Sequence, residues 1–122
     1  MNNPVGWFEI YVNDMARAKA FYEAVFNVTF SKLESPDLDM WAFPMDRPTY
    51  GASGALVKSP CVSAGGNGTL VYFHSADCAI EAAKVADAGG TVQKAKFSIG
   101  PYGFIALVKD SEGNMIGLHS MQ

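Results

Sequence analysis

The chain states one pattern twice. Val5 to Phe26 runs as an apolar strand, an Asp-capped turn and a helix, and Thr69 to Ala88 repeats that order, with Asp14 and Asp77 set 77 − 14 = 63 residues apart. Short strand-like runs broken by Gly, Pro and Asn follow each copy, so each half reads βαβββ. The expected fold is therefore α+β: two tandem βαβββ modules forming a cup-shaped mixed sheet with helices on its outer face. A cup of that kind holds a small molecule.

With 122 residues, 49% hydrophobic and 17% charged, the chain can bury a core without a disulfide or a structural metal. One domain over 1–122 is expected, with modules 1–59 and 68–122 joined by the Gly- and Ser-rich linker 60–67.

In the first strand, alternation sends Phe8, Ile10 and Val12 to one face and Trp7, Glu9 and Tyr11 to the other. The aliphatic face belongs under the helix, where Met15, Ala18, Phe21, Tyr22 and Val25 recur at helical spacing after the caps Asn13 or Asp14. Asn27 ends it at a position that favours a left-handed residue. Strands are predicted at Val28 to Leu33, Leu38 to Phe43 and Ala52 to Lys58, the last two separated by a Pro44 to Gly51 loop. In the second copy Leu70, Tyr72 and His74 share a face, Val71 and Phe73 the other. The helix predicted from Asp77 to Ala88 stops at Gly89-Gly90, and strands follow at Thr91 to Phe97, Gly103 to Lys109 and Met115 to Ser120. Phe8, Ile10, Val71 and Phe73 are expected to be buried under the two helices.

The net charge of −3 and the absence of a Lys/Arg run argue against nucleic acid as partner. No apolar run approaches the roughly 20 residues of a membrane span, so no membrane partner is expected. Met1-Asn2-Asn3-Pro4 lacks the basic start of a secretory leader, and a cytoplasmic location is expected. Cys61, in the linker, and Cys78, in a helix first turn, are poor material for a disulfide framework and read as reduced thiols. Apolar sheet edges and helix faces left by two small halves lead us to expect a homodimer.

Several of these segments together resemble a known family. They are Trp7-Phe8-Glu9-Ile10-Tyr11-Val12-Asn13-Asp14 through Phe21-Tyr22 and Val25-Phe26, then Val71-Tyr72-Phe73 with Asp77, the Ala88-Gly89-Gly90 helix stop, and Gly103-Phe104 through Asp110-Ser111-Glu112-Gly113-Asn114-Met115-Ile116-Gly117-Leu118. Their order and spacing are similar to those of the vicinal oxygen chelate superfamily, the group of glyoxalase I, bleomycin-resistance proteins and extradiol dioxygenases. In that family's enzymes a divalent metal sits in the cup, held by His, Gln or Glu from the first and last strand of each half. Carried over by the Asp14 and Asp77 registers, the first-strand ligand positions fall on Trp7 and Leu70, and the last-strand position of the second half falls on Gly117. None of these side chains binds a metal. The run Tyr50 to Ser59 contains no Asp, Glu, His or Gln to replace them. A divalent metal is therefore not the favoured cofactor, and none is expected.

The only two histidines, His74 and His119, share face parity with the vacant positions, and Glu9 shares it with Trp7. Glu9, His74 and His119 are the candidate catalytic residues. Such a set can hold a metal from displaced positions, move a proton on a bound substrate, or serve the structure alone. Trp7, Tyr11, Tyr72, Trp41 and Phe104 are the candidate substrate-binding residues, being more aromatic surface than one small cup needs, with Tyr102 a further aromatic beside them. The resemblance implies a small-molecule protein without the usual metal site, a lyase or isomerase acting next to a carbonyl with Glu9 as base and a histidine as acid. The alternative is a non-catalytic protein that sequesters an aromatic or amphipathic compound.

Overall fold

The computed structural model describes residues 3–48, 51–66 and 68–122. Among them the elements run β1 (Val5–Tyr11), α1 (Met15–Phe26), β2 (Ser31–Leu33), β3 (Asp39–Ala42), β4 (Ser53–Lys58), β5 (Thr69–His74), α2 (Cys78–Lys84), β6 (Thr91–Ser98), β7 (Phe104–Lys109) and β8 (Met115–Ser120). This is the α+β fold of two βαβββ halves. The chain divides into two compact units, an N-terminal one of Phe8–Thr69 and a C-terminal one in which the chain start up to Trp7 joins Leu70–Gln122. No helix among the described residues is long and apolar enough to cross a membrane.

In the N-terminal unit the strands stand in the order β2-β3-β4-β1. Asp14 caps α1 by accepting the Arg17 N–H at 3.1 Å, which satisfies one of the helix's orphan donors. Asn27 ends the helix in the left-handed region, at φ 54°, and donates its N–H to the Glu23 carbonyl. Val12, Met15, Phe30 and Leu56 form the buried cluster between helix and strands, with Ile10, Ala18, Tyr22, Trp41 and Phe43 packed on it. Rings of Phe8, Phe30, Tyr22 and Phe43 meet edge-on or tilted around this cluster. β4 is buried along Gly54-Ala55-Leu56-Val57, as befits an interior strand flanked on both sides.

In the C-terminal unit the order is β5-β8-β7-β6. β5 and β8 run parallel while β7 pairs antiparallel with both β8 and β6, so the sheet is mixed. Cys78, Ala106, Val108 and Leu118 form the cluster under α2, joined by Phe73, Ala82, Val85, Phe104 and Ile116. β1 enters this unit through Pro4, whose carbonyl accepts the His74 N–H at 2.8 Å.

Three expectations change. α2 ends at Lys84, because Val85 already bonds back three residues to Ala82 and the chain then turns tightly to Gly90, whose N–H reaches the Val85 carbonyl. β2 begins only at Ser31, since Val28 and Phe30 turn into the α1 cluster instead of pairing. Phe8, Ile10, Val71 and Phe73 are half-buried; the fully enclosed side chains are Leu56, Val57, Val108, Cys78 and Ser120. Tyr50, in the expected loop, lies outside the described residues.

Candidate functional site

Strand alternation and the two helix-side clusters decide which candidate residues stand opposite the helices. In the N-terminal unit Ile10 and Val12 belong to the α1 cluster, so Glu9 and Tyr11 project from the other face of β1. They are brought together there: the Tyr11 hydroxyl donates to Glu9 Oε1 at 2.7 Å. Glu9 is only 7% exposed, an unusual setting for a carboxylate, and the phenol supplies a partner to it. Burial first, and then the adjacent Glu9 charge and hydrogen bond, push the Tyr11 hydroxyl far above its ordinary value. The pair therefore behaves as a protonated phenol fixed on a carboxylate.

Trp41 does not join them. Its Cα partner on β4 is Leu56, a member of the α1 cluster, so the indole lies on the helix side. Lys19 Nζ stands 3.4 Å above its ring, and the indole N–H donates to Asp39 Oδ1, which also pairs with Lys32. These contacts tie a surface helix to a strand. Phe104 is misplaced by the same logic in the C-terminal unit: it pairs with Ser120 and packs on the α2 cluster, under Lys96.

The C-terminal unit's other face carries the remaining candidates. Tyr72 pairs with Gly117 and His74 with His119, and on β7 Leu107 stands opposite Gly117 and Ile105 opposite His119. His74 is exposed and His119 half-buried. His119 Nε2 lies 2.6 Å from the Tyr102 carbonyl; a carbonyl only accepts, so Nε2 donates to it. That carbonyl sits at the end of a 3₁₀ turn, Gly100–Tyr102, closed by Gly103 at φ 104°. A Cβ at Gly103 would reach into Ser120 and Met121, so glycine is what lets the turn come down beside β8. Trp7 is half-buried at the start of β1 within the same unit.

Sequence reasoning missed two members of this face. Lys94 pairs with Leu107 and Phe97 with Ile105, although they stand three positions apart and simple alternation puts them on opposite faces. Register shifts on both sides of Lys94 turn both inward together, with Lys94 Nζ 4.0 Å from the Phe97 ring. A bulge leaves no mark in hydropathy that would have revealed this.

The metal positions of the resembling family can now be tested against geometry. Gly117 has no side chain to offer, and its place is taken: a Cβ there would lie 2.8 Å from Tyr72 Cγ and nearer still to the ring edge. Tyr72, 6% exposed, thus covers the position. Trp7 and Leu70 supply no donor. No group of three or more His, Cys, Asp or Glu among the described residues is placed to hold a metal. The residues present do not fit the family's metal.

A family model described as Glyoxalase/Bleomycin resistance protein/Dioxygenase superfamily matches residues 5–118. Among solved structures, methylmalonyl-CoA epimerase from Mycobacterium tuberculosis is similar at TM-score 0.67 and 12% identity, over 98% of this chain and 88% of that one. A Streptomyces coelicolor methylmalonyl-CoA epimerase in complex with 2-nitronate-propionyl-CoA is similar at TM-score 0.66 and 20% identity, over 97% and 96%. A hypothetical protein from Bacillus halodurans reaches TM-score 0.74 at 10% identity, over 100% and 96%. At such identities the likeness is one of fold. A search of curated proteins finds no match.

Proposed function

Because the chain belongs to the glyoxalase/bleomycin resistance protein/dioxygenase superfamily, we propose that it binds a small organic molecule without the divalent metal used by that superfamily's enzymes. One observation carries this reading: the Tyr72 ring lies over Gly117, so an aromatic surface stands where a metal-ligating side chain would project. Tyr72, with Trp7 in the same unit, supplies a wall for a planar or amphipathic compound, and His74 and His119 supply its polar end.

The test is metal independence. Purified protein is expected to carry less than about 0.1 zinc, nickel, iron or cobalt per chain, and a compound that quenches its tryptophan fluorescence should do so equally with and without EDTA. One metal per chain, removed together with binding by Glu9→Gln or His119→Gln, overturns the proposal.

A second reading has its own support. Glu9 is a buried carboxylate with a phenol on it, and the similar folds include epimerases. In that reading the protein is a lyase or isomerase acting next to a carbonyl, with Glu9 as base. Loss of turnover in Glu9→Gln with ligand binding retained would favour it.

We further propose that two copies pair, since Phe21, Val25 and Phe26 on α1 are 57%, 56% and 61% exposed. Sedimentation across micromolar concentrations decides this. The free thiols of Cys61 and Cys78 support a reducing, cytoplasmic setting.

A further inference from the structure

The charges of the C-terminal unit are sorted by face. Its five carboxylate side chains are Asp77, Glu81, Asp87, Asp110 and Glu112. Asp77 and Glu81 cap and line α2, Asp87 lies in the turn after it, and Asp110 and Glu112 form the turn between β7 and β8. None stands on a strand. Asp77 is also engaged, accepting Lys96 Nζ at 2.8 Å on the α2 side, and Glu81 accepts the Ser75 hydroxyl.

The face opposite α2 is the reverse. Register places Lys94, Lys109, His74 and His119 there, around Tyr72, Phe97, Ile105 and Leu107. Phe97, Ile105 and Leu107 keep part of their surface uncovered, and Lys94 is exposed. No carboxylate among the described residues pairs with Lys94, whose ammonium rests on the Phe97 ring. In a chain of net charge −3, the strands of this unit carry no carboxylate on this face among the described residues. The charge distribution points to a planar organic acid as the ligand class: an aromatic body laid on Phe97, Ile105 and Leu107, with its carboxylate met by Lys94. This inference rests on the binding function proposed above and adds the sign of the ligand's charge.

The test compares three probes of one shape: 2-naphthoate, 2-naphthamide and 2-naphthylmethylammonium, titrated into the full chain at low salt. The acid is expected to bind about tenfold tighter than the amide, and the cation weakest, with the acid's advantage shrinking as salt rises from about 0.02 M to about 0.5 M. Lys94→Gln should remove at least about threefold of the acid's advantage over the amide, while Lys94→Arg restores it. Backbone amide shifts caused by the acid should centre on residues 105–107 and 119. Equal binding of acid and amide, or preference for the cation, overturns the inference and leaves the binding function standing. Failure of all three to bind overturns both.

Discussion

Ser120 Oγ accepts the Cys78 N–H at 3.0 Å and donates to the Gln122 carbonyl at 2.8 Å. One hydroxyl on β8 thereby satisfies the first N–H of α2, in a position with no solvent access. Ser120→Ala is expected to leave that buried N–H without a partner, at a cost of about 1–3 kcal/mol. Urea unfolding reads the loss directly, and a change under about 0.5 kcal/mol would mean that water reaches the helix start.

Gly117 and Tyr72 form a coupled pair. Gly117→Ala should cost about 1–3 kcal/mol, because the new methyl displaces a buried ring. In a Tyr72→Ala background the same change should cost less, with a coupling energy of at least about 0.5 kcal/mol. Additive effects would show that the ring moves aside freely, and would remove the obstacle to a side chain at the ligand position.

Tyr11 gives a pH signature. Its folded hydroxyl ionises far above the ordinary value of 10.0, so the fold favours the protonated form. Stability from this group is fully present below pH 10 and falls as pH rises toward the higher folded value. Tyr11→Phe should therefore flatten the alkaline limb of the stability profile, measured by thermal unfolding between about pH 9 and pH 11. Ultraviolet titration should show a phenol, absent from Tyr11→Phe, that stays protonated until the chain unfolds. If all tyrosines ionise together near pH 10 in the folded protein, the Glu9 contact is absent in solution.

Two apolar positions should differ sharply. Leu56, on β4 and fully buried in the cluster under α1, should cost about 2–5 kcal/mol on truncation to Ala. Phe21, more than half exposed, should cost within about 0.5 kcal/mol in dilute monomer, where no partner covers it. A large cost at Phe21 that grows with protein concentration would instead locate a dimer contact on α1.

What the sequence made legible was the part governed by local chemistry. Asp14 and Asp77 announced both helices because a carboxylate before an apolar-periodic run has few other uses, and both side chains accept backbone N–H groups. Asn27 and the Gly89-Gly90 stop were readable for the same reason. The placement of Trp41 and Phe104 was not. Each lies on a strand whose partner decides the face it presents, Leu56 for Trp41 and Ser120 for Phe104, and pairing across many residues leaves no local trace. Lys94 and Phe97 were hidden by a bulge, which changes parity without changing composition. The vacancy at Gly117 could be read from the resemblance alone, but not the fact that Tyr72 fills it.

The parallel pairing of β5 with β8 has a kinetic consequence. Tyr72 and Gly117 are register partners 117 − 72 = 45 residues apart, and β8 lies between β5 and β7 in the strand order. During synthesis β6 and β7 can pair as a hairpin as soon as they emerge, but β5 must wait for the whole of β8 before it gains a neighbour on that side. Until then two hydrogen-bonding edges, of β5 and of β7, stand open at once, and each is a template for strands of another chain. The aggregation risk of this protein is thus concentrated in nascent or truncated chains that stop short of Met115, whose rescue would need a chaperone or a β8 peptide supplied in trans.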